Sequence, residues 1–438
     1  MKKFLILILL CSSLAAFSKH PLIQSGPMLG YADIREALLW VQTTQSAEVY
    51  FKYYETGNTS KVYQTDKFNT QKTNSFIAKL IADSVESGKN YTYEVFINGE
   101  KSDFDYNLDF NTPLNWRWKT EPPNFKFALG SCFFINDAKY DRVGKPYGGE
   151  YFIANSILEK KPEFMVWLGD NVYLREGDWN TRTGIYYRWT NSRSVPELQA
   201  LLASVHHYGI WDDHDYGPDN ADRSFWNKSA TKDAFIDFSG NPQGIYQNTG
   251  ITFKFEWGDC DFFMMDNRWF RAPDNDSSKD KDYLGKNQLR WLIDNLLYSP
   301  AKFKFVCIGG QVLNPLQVME NYSNYTSELK ILLDAINKYN IKGIVFLTGD
   351  RHYSELTKMN LSGGTKIFDF TSSTLTAGEN KSGCVEDNAL RVDGSCFDSR
   401  NFGMIEVSGP KNDRKLNLIL FDNKGNEVWN YKISEKDF

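Results

Sequence analysis

The chain has 438 residues, of which 41% are apolar, 15% aromatic and 24% charged, with a formal net charge of −5. This composition excludes a disordered chain, and the length exceeds one ordinary core of roughly 100–200 residues, so a small and a large domain are expected. No cluster of lysines or arginines marks a nucleic-acid surface.

The chain opens with Lys2 and Lys3, an apolar run from Phe4 to Leu10, and small residues at Ala16 and Ser18. That pattern predicts an export leader over residues 1–18, and hence a periplasmic or extracellular mature protein. The run is shorter than the roughly 20 residues needed to cross a bilayer, and no later window suffices, so no transmembrane helix is expected. Lipid anchoring at Cys11 ranks second, because Leu10 stands where a lipoprotein site wants a small residue. Loss of Lys2 and Lys3 with the leader takes the net charge to −7.

Residues 19–120 read as a small antiparallel β-sandwich of immunoglobulin or fibronectin type. The segments ALLWVQT, AEVYFKYYE, SFIAKLI and TYEVFING are separated by Gly, Asn, Ser and Lys-rich breaks. Tyr91, Tyr93, Val95 and Ile97 alternate with polar residues, as in a strand with one buried face. Glu121-Pro122-Pro123 marks a boundary, after which apolar strands alternate with amphipathic helices expected at 150–161, 286–297 and 327–340. Residues 121–438 are therefore expected to form one catalytic α/β domain. Cys384 and Cys396 share a polar loop and are the expected disulfide, while Cys260 and Cys307 belong to apolar runs.

The apolar runs of this second half end in a consistent way. FKFALG runs into Ser131-Cys132, FMVWLG into Asp170-Asn171-Val172-Tyr173, and YGIW into Asp212-Asp213-His214-Asp215. FFMM runs toward Asp266-Asn267-Arg268, FVCIGG into Gln311, and GIVFLTG into Asp350-Arg351-His352. Sheets with helices on their faces carry sites outside the carboxyl ends of their strands. One such aspartate is an ordinary turn former or helix cap. Carboxylates, histidines, a thiol and a phenol at one rim would repel without a cation, which points to a dinuclear or larger metal centre.

Taken in order, GSC (130–132), GDNVY (169–173), WDDHDYG (211–217), DNRWFR (266–271) and GDRH (349–352) resemble the PhoD-like alkaline phosphatases, a branch of the calcineurin-like metallophosphatases. The preceding β-domain is also similar to that family's amino-terminal domain. The resemblance implies a metallophosphatase β-sandwich flanked by helices, with Fe³⁺ bound by thiolate and tyrosinate and Ca²⁺ bound by oxygen ligands. Relative to the general metallophosphatase pattern, Cys132, Asp213-His214, Gln311 and the Gly349–His352 segment are departures that match this branch. Soft donors suit iron and carboxylates suit a hard cation.

The expected metal ligands are Cys132, Asp170 as the bridging carboxylate, Tyr173, Asp213, Asp350 and His352. Asp212 is expected to support from behind, and Asp350 and His352 to share one side of an extended segment, with Arg351 pointing away. His214 is the expected general acid and Arg268 either a clamp on phosphate oxygens or a partner in a structural Asp–Arg salt bridge, with Asp266 holding it or capping the turn. His206 and His207 are read as surface groups or supports. The implied reaction is in-line attack of a metal-activated hydroxide on a phosphate mono- or diester. The alternatives are a phosphodiesterase or phospholipase-type hydrolase acting on lipid or wall polymers, and a non-catalytic calcium-stabilised binding protein. A monomer is expected.

Overall fold

Strands buried on both faces read as unbroken apolar runs, and in the computed structural model, which describes residues 19–245 and 248–438, those runs form two sheets packed face to face. The predicted leader and Cys11 lie outside the described residues. In the larger sheet, Phe125–Gly130, Phe164–Leu168 and His206–Ile210 run parallel side by side. The second sheet holds Cys260–Met264, Phe303–Cys307, Ile344–Thr348 and Lys366–Thr371 in parallel, with antiparallel strands at both edges. Aromatic rings fill the space between the sheets: Phe127 meets Phe262 and Phe305 edge-on, each at 5.2 Å between ring centroids.

Helices cover both outer faces. Lys286–Tyr298 and Thr326–Lys338 bury Leu289, Leu292, Leu332 and Ile336 against Val306, Ile344 and Phe346 of the second sheet. Pro196–Ser204 and Lys228–Phe238 bury Leu198, Leu201, Leu202, Phe235 and Phe238 on the larger sheet's side. The architecture is thus the helix-flanked β-sandwich expected, and the three anticipated helices form at Ile153–Glu159, Lys286–Tyr298 and Thr326–Lys338.

Among the described residues before Phe125 the regular elements are strands and one 3₁₀ turn. Glu48–Glu55 and Asn90–Ile97 pair antiparallel, and Tyr91, Tyr93, Val95 and Ile97 point inward as their alternation predicts. Ile23–Ala32, Ala37–Thr43 and Ile77–Ala82 extend the larger sheet, joining it where Leu29 lies opposite His206. His206 and His207 are buried in this strand rather than at the surface; His206 Nδ1 lies 2.7 Å from the Gly30 carbonyl oxygen and Nε2 2.9 Å from that of Asn111. Both histidines hold their imidazoles below the usual range, chiefly through burial. Cys384 and Cys396 form the disulfide, and Cys132, Cys260 and Cys307 are free and buried.

Candidate metal centre

Parallel strands with their carboxyl ends at one edge bring residues distant in sequence together there. Immediately after the strands, Cys132, Asp170, Asp350 and His352 all adopt left-handed backbone conformations, with φ of 62°, 53°, 66° and 57°. Non-glycine residues pay for this conformation, and such positions concentrate at functional sites. Two glycines give the site room. A Cβ at Gly169 would come within 2.6 Å of Asp212 Cβ, and one at Gly309 within 2.5 Å of its carboxyl carbon.

The side chains form three groups whose donor atoms lie within 4.8 Å of one another: Cys132, Asp170 and His352; Asp170, Asp213 and His214; and Asp212, Asp213 and Asp350. Asp170 is shared by the first two groups and Asp213 by the last two. Tyr173 joins the first, with its hydroxyl 3.1 Å from His352 Nε2. One end of the cluster therefore offers sulfur, phenol and imidazole, and the other offers carboxylates.

The Ser373 hydroxyl accepts the His352 N–H at 2.9 Å and donates to Cys132 Sγ at 3.2 Å. Asp170 takes the His214 N–H at 3.3 Å on one oxygen and lies 3.5 Å from Cys132 Sγ on the other. Asp213 opens the short helix Asp213–Tyr216, and its Oδ2 accepts the Asn220 N–H at 2.7 Å. Asp215, which sequence reasoning passed over, ties two site turns together by accepting the N–H groups of Val172 and Asp212 at 3.1 and 2.9 Å.

Electrostatics argue for a cation. Burial, then the neighbouring Asp213, Asp212, Asp215 and Asp350, push the Asp170 carboxyl far above the carboxylate range. Burial and Glu320 do the same to Asp350. Burial raises Asp212 to about 7 although Arg268 opposes it. For Asp213, burial is outweighed by His214, Arg268 and the Asn220 N–H, which hold it at about 2. The adjacent pair thus accepts one negative charge readily and resists a second. Burial, with Asp170 next, raises the Cys132 thiol, and burial lowers His352 to about 4. Asp212 Oδ2 and Asp213 Oδ1 are buried without a hydrogen-bond partner. Unmatched buried anions and orphan oxygens of this kind fit bound cations.

Two features differ from the sequence reading. Arg268 is fully buried and does not face open space: its guanidinium contacts Asp212, pairs with Glu320 at 2.7 and 2.5 Å, and lies 3.7 Å from Asp213. Of the two roles expected for Asp266, it takes the turn-capping one: its carboxylate accepts the Arg268 and Trp269 N–H groups and the Trp211 indole N–H. Replacing Arg268 with Met would leave Asp212 and Glu320 buried without this counter-charge and is expected to cost about 3–5 kcal/mol of unfolding free energy. Denaturant titration reads this directly, and an unchanged midpoint would mean that the pairing contributes no stability. Second, Asp350 and His352 do not sit on an extended segment; the two left-handed residues send them to different groups. Gln311, which stands where the general metallophosphatase pattern has a later His, donates to Glu355 and accepts from Arg351. Arg351 does turn away, pairing with Glu386.

His214 is partly open, its side chain 23% exposed. Its Nε2 lies 3.8 Å from Asp213 and 3.6 Å from Asp219, and its ring packs on Tyr173 with centroids 4.2 Å apart. It lines a cleft of about 470 Å³ that continues along Phe134, Tyr147 and Trp179. Tyr147, another residue no motif indicated, places its hydroxyl 3.2 Å from His352 Nδ1.

Comparison with known proteins bears on the family and the fold. The sequence model of the PhoD-like phosphatase family matches residues 127–407, and that of a domain of unknown function (DUF7800) matches residues 20–113. Alkaline phosphatase D of Bacillus subtilis (strain 168) is 22% identical over 354 residues, which are 68% of this chain and 58% of that protein. The chain thus spans little more than half the length of this curated relative. A solved structure of PhoD superposes with a TM-score of 0.77 at 17% identity over 95% of this chain and 93% of the other, a likeness of fold. The chain belongs to the PhoD-like phosphatase family.

Proposed function

We propose that this protein is an exported phosphoric ester hydrolase whose activity depends on metals held by Cys132, Asp170, Tyr173, Asp213, Asp350 and His352. The observation that carries this reading is the linkage of three donor groups through the shared carboxylates Asp170 and Asp213. The end with thiolate, phenolate and imidazole donors, Cys132, Tyr173 and His352, suits Fe³⁺, and the carboxylate end suits Ca²⁺. Bound there, cations would supply Lewis acidity toward phosphoryl oxygens and lower the pKa of the hydrolytic water. The disulfide is consistent with export to an oxidising compartment, and no helix among the described residues is long and apolar enough to cross a membrane.

The protein's own groups have separable tasks. Asp213 and Asp219 flank the His214 imidazole and the Tyr173 ring supports one face of it, so His214 is held at the junction of the donor cluster and the cleft. From there it gives a proton to the departing alkoxide. Arg268 acts through Asp212 and Asp213, fixing the carboxylates that it pairs with. The open cleft beyond His214 leaves space for a second ester group, so phosphodiesters, including lipid or wall-polymer esters, are admitted alongside monoesters.

The test is hydrolysis of an aryl phosphate monoester and the matching bis-aryl diester with added Ca²⁺ and again after chelation. Chelator-sensitive turnover supports the reading, and the ratio of the two rates sets the substrate preference. Bound iron and calcium with no turnover of either ester would favour a non-catalytic role. Replacing His214 with Ala is expected to lower kcat by about 10²–10⁴-fold for alkyl esters, and by much less for nitrophenyl esters, whose leaving group needs no proton. Equal losses on both would remove His214 as the acid.

A further inference from the structure

The cleft beyond His214 sets aromatic rings among charged side chains, Asp141, Arg142, Lys145, Arg175, Glu176 and Asp219. Phe134, Tyr140, Pro146, Tyr147, Tyr173 and Trp179 line it. Phe134 meets Tyr147 edge-on at 4.9 Å and Tyr173 at 5.0 Å, so three of the rings form one continuous surface. Tyr140 is 41% exposed and Trp179 half-buried, so both retain area that a bound molecule can cover.

Ion pairs, one of them at the cleft surface, fix these walls. Arg175 pairs with Asp141, next to Tyr140, at 2.8 Å. Arg188 pairs with Asp178, next to Trp179, at 2.8 Å and with Asp137 at 3.3 Å. Asp178 also accepts the Arg175 N–H at 2.9 Å, joining the two walls. The loop tip carries Val143, which is 106% exposed. A preorganised aromatic cleft binds without the cost of ordering its side chains, and flat faces recognise flat rings better than small hydrated alcohols.

From this geometry we infer that the cleft is a leaving-group subsite for a flat ring carried by the substrate's ester oxygen. The inference rests on the hydrolase reading above and adds a substrate class to it. In the reaction, the oxygen of water bonds to phosphorus as the bond from phosphorus to the ring-bearing oxygen breaks. That oxygen leaves with the His214 proton, one hydrogen of the water stays on the phosphate and the other is released to solvent, from which His214 is reprotonated, giving phosphate and a free ring alcohol.

The test uses the metal-loaded full chain in two ways. Calorimetry compares methyl-, cyclohexyl-, phenyl- and 2-naphthylphosphonate, which carry the same head group and cannot be hydrolysed. Steady-state kinetics compares phenyl and 2-naphthyl phosphate, whose leaving groups are nearly equal in acidity. The naphthyl compounds are expected to bind at least about ten-fold more tightly than methylphosphonate and to show the higher kcat/KM. Trp179→Ala and Tyr140→Ala should each reduce that preference several-fold while leaving methylphosphonate binding within about two-fold. Equal affinity across the series, cyclohexyl binding as tight as naphthyl, or an undiminished preference in both variants would overturn the ring subsite. Phosphonate binding reports on the cleft whether or not any ester turns over, so failure of the hydrolase reading is a separate result.

Discussion

Asp170→Asn is expected to lose metal and turnover together. Asp170 belongs to two of the three donor groups, so one substitution withdraws a negative charge from both. Groups that merely support metal ligands already cost about 10–100-fold in affinity or activity when removed; a shared ligand should exceed a thousand-fold. Asparagine keeps the shape and can still accept the His214 N–H, so the fold should persist. Without metal the variant should be no less stable than the parent, because one of several mutually repelling buried carboxylates has been neutralised. The measurement is elemental analysis beside turnover and thermal melting in chelator. A variant that retains both metals and full activity would remove the bridging role.

Metal removal is expected to make stability fall as pH rises. Asp170, Asp212 and Asp350 have folded pKa values above those of the unfolded chain, so the metal-free fold binds more protons than the unfolded state once pH exceeds about 4. Their contribution is fully present below that pH and is lost as pH climbs through the folded values, which for Asp212 is about 7. At about 1.4 kcal/mol per pKa unit, Asp212 alone costs about 4 kcal/mol by pH 8, and Asp170 and Asp350 add to this. Cations should abolish the loss. The quantity to measure is the difference in Tm between loaded and chelated protein from pH 4 to pH 8, in which the buried His206 and His207 cancel. It should widen steadily with pH; a constant difference would show that the carboxylates are not facing one another uncompensated.

Several parts of this site were legible before any coordinates. A strand buried on both faces must be apolar throughout, so the residue where polarity returns marks its end, as at Cys132, Asp170, Asp212 and Asp350. The Cys384–Cys396 pair was legible for a similar local reason, since both lie in one short polar loop. The helix Arg182–Arg193 was not legible, because it buries Arg188, Ser192 and Arg193 beside Ile185 and Trp189 and so shows no clean apolar stripe. Ile23–Ala32, interrupted by Gly26, Pro27 and Gly30, earns its place as a strand from pairing with Ala37–Thr43 and with the distant His206 strand.

Sequence by itself determined the layered α/β class, the rim at which chemistry collects and the residue types gathered there, because hydrophobic periodicity and strand termination are local properties. Tertiary structure alone decided how those residues are shared. It turned Asp350 and His352 to different donor groups through two left-handed residues, and it set Glu320 against Arg268 from 52 positions away. It also folded Tyr147 back onto His352 across 205 residues. Each of these depends on which buried charge or donor meets which partner, a question of distance in space that spacing along the chain does not encode.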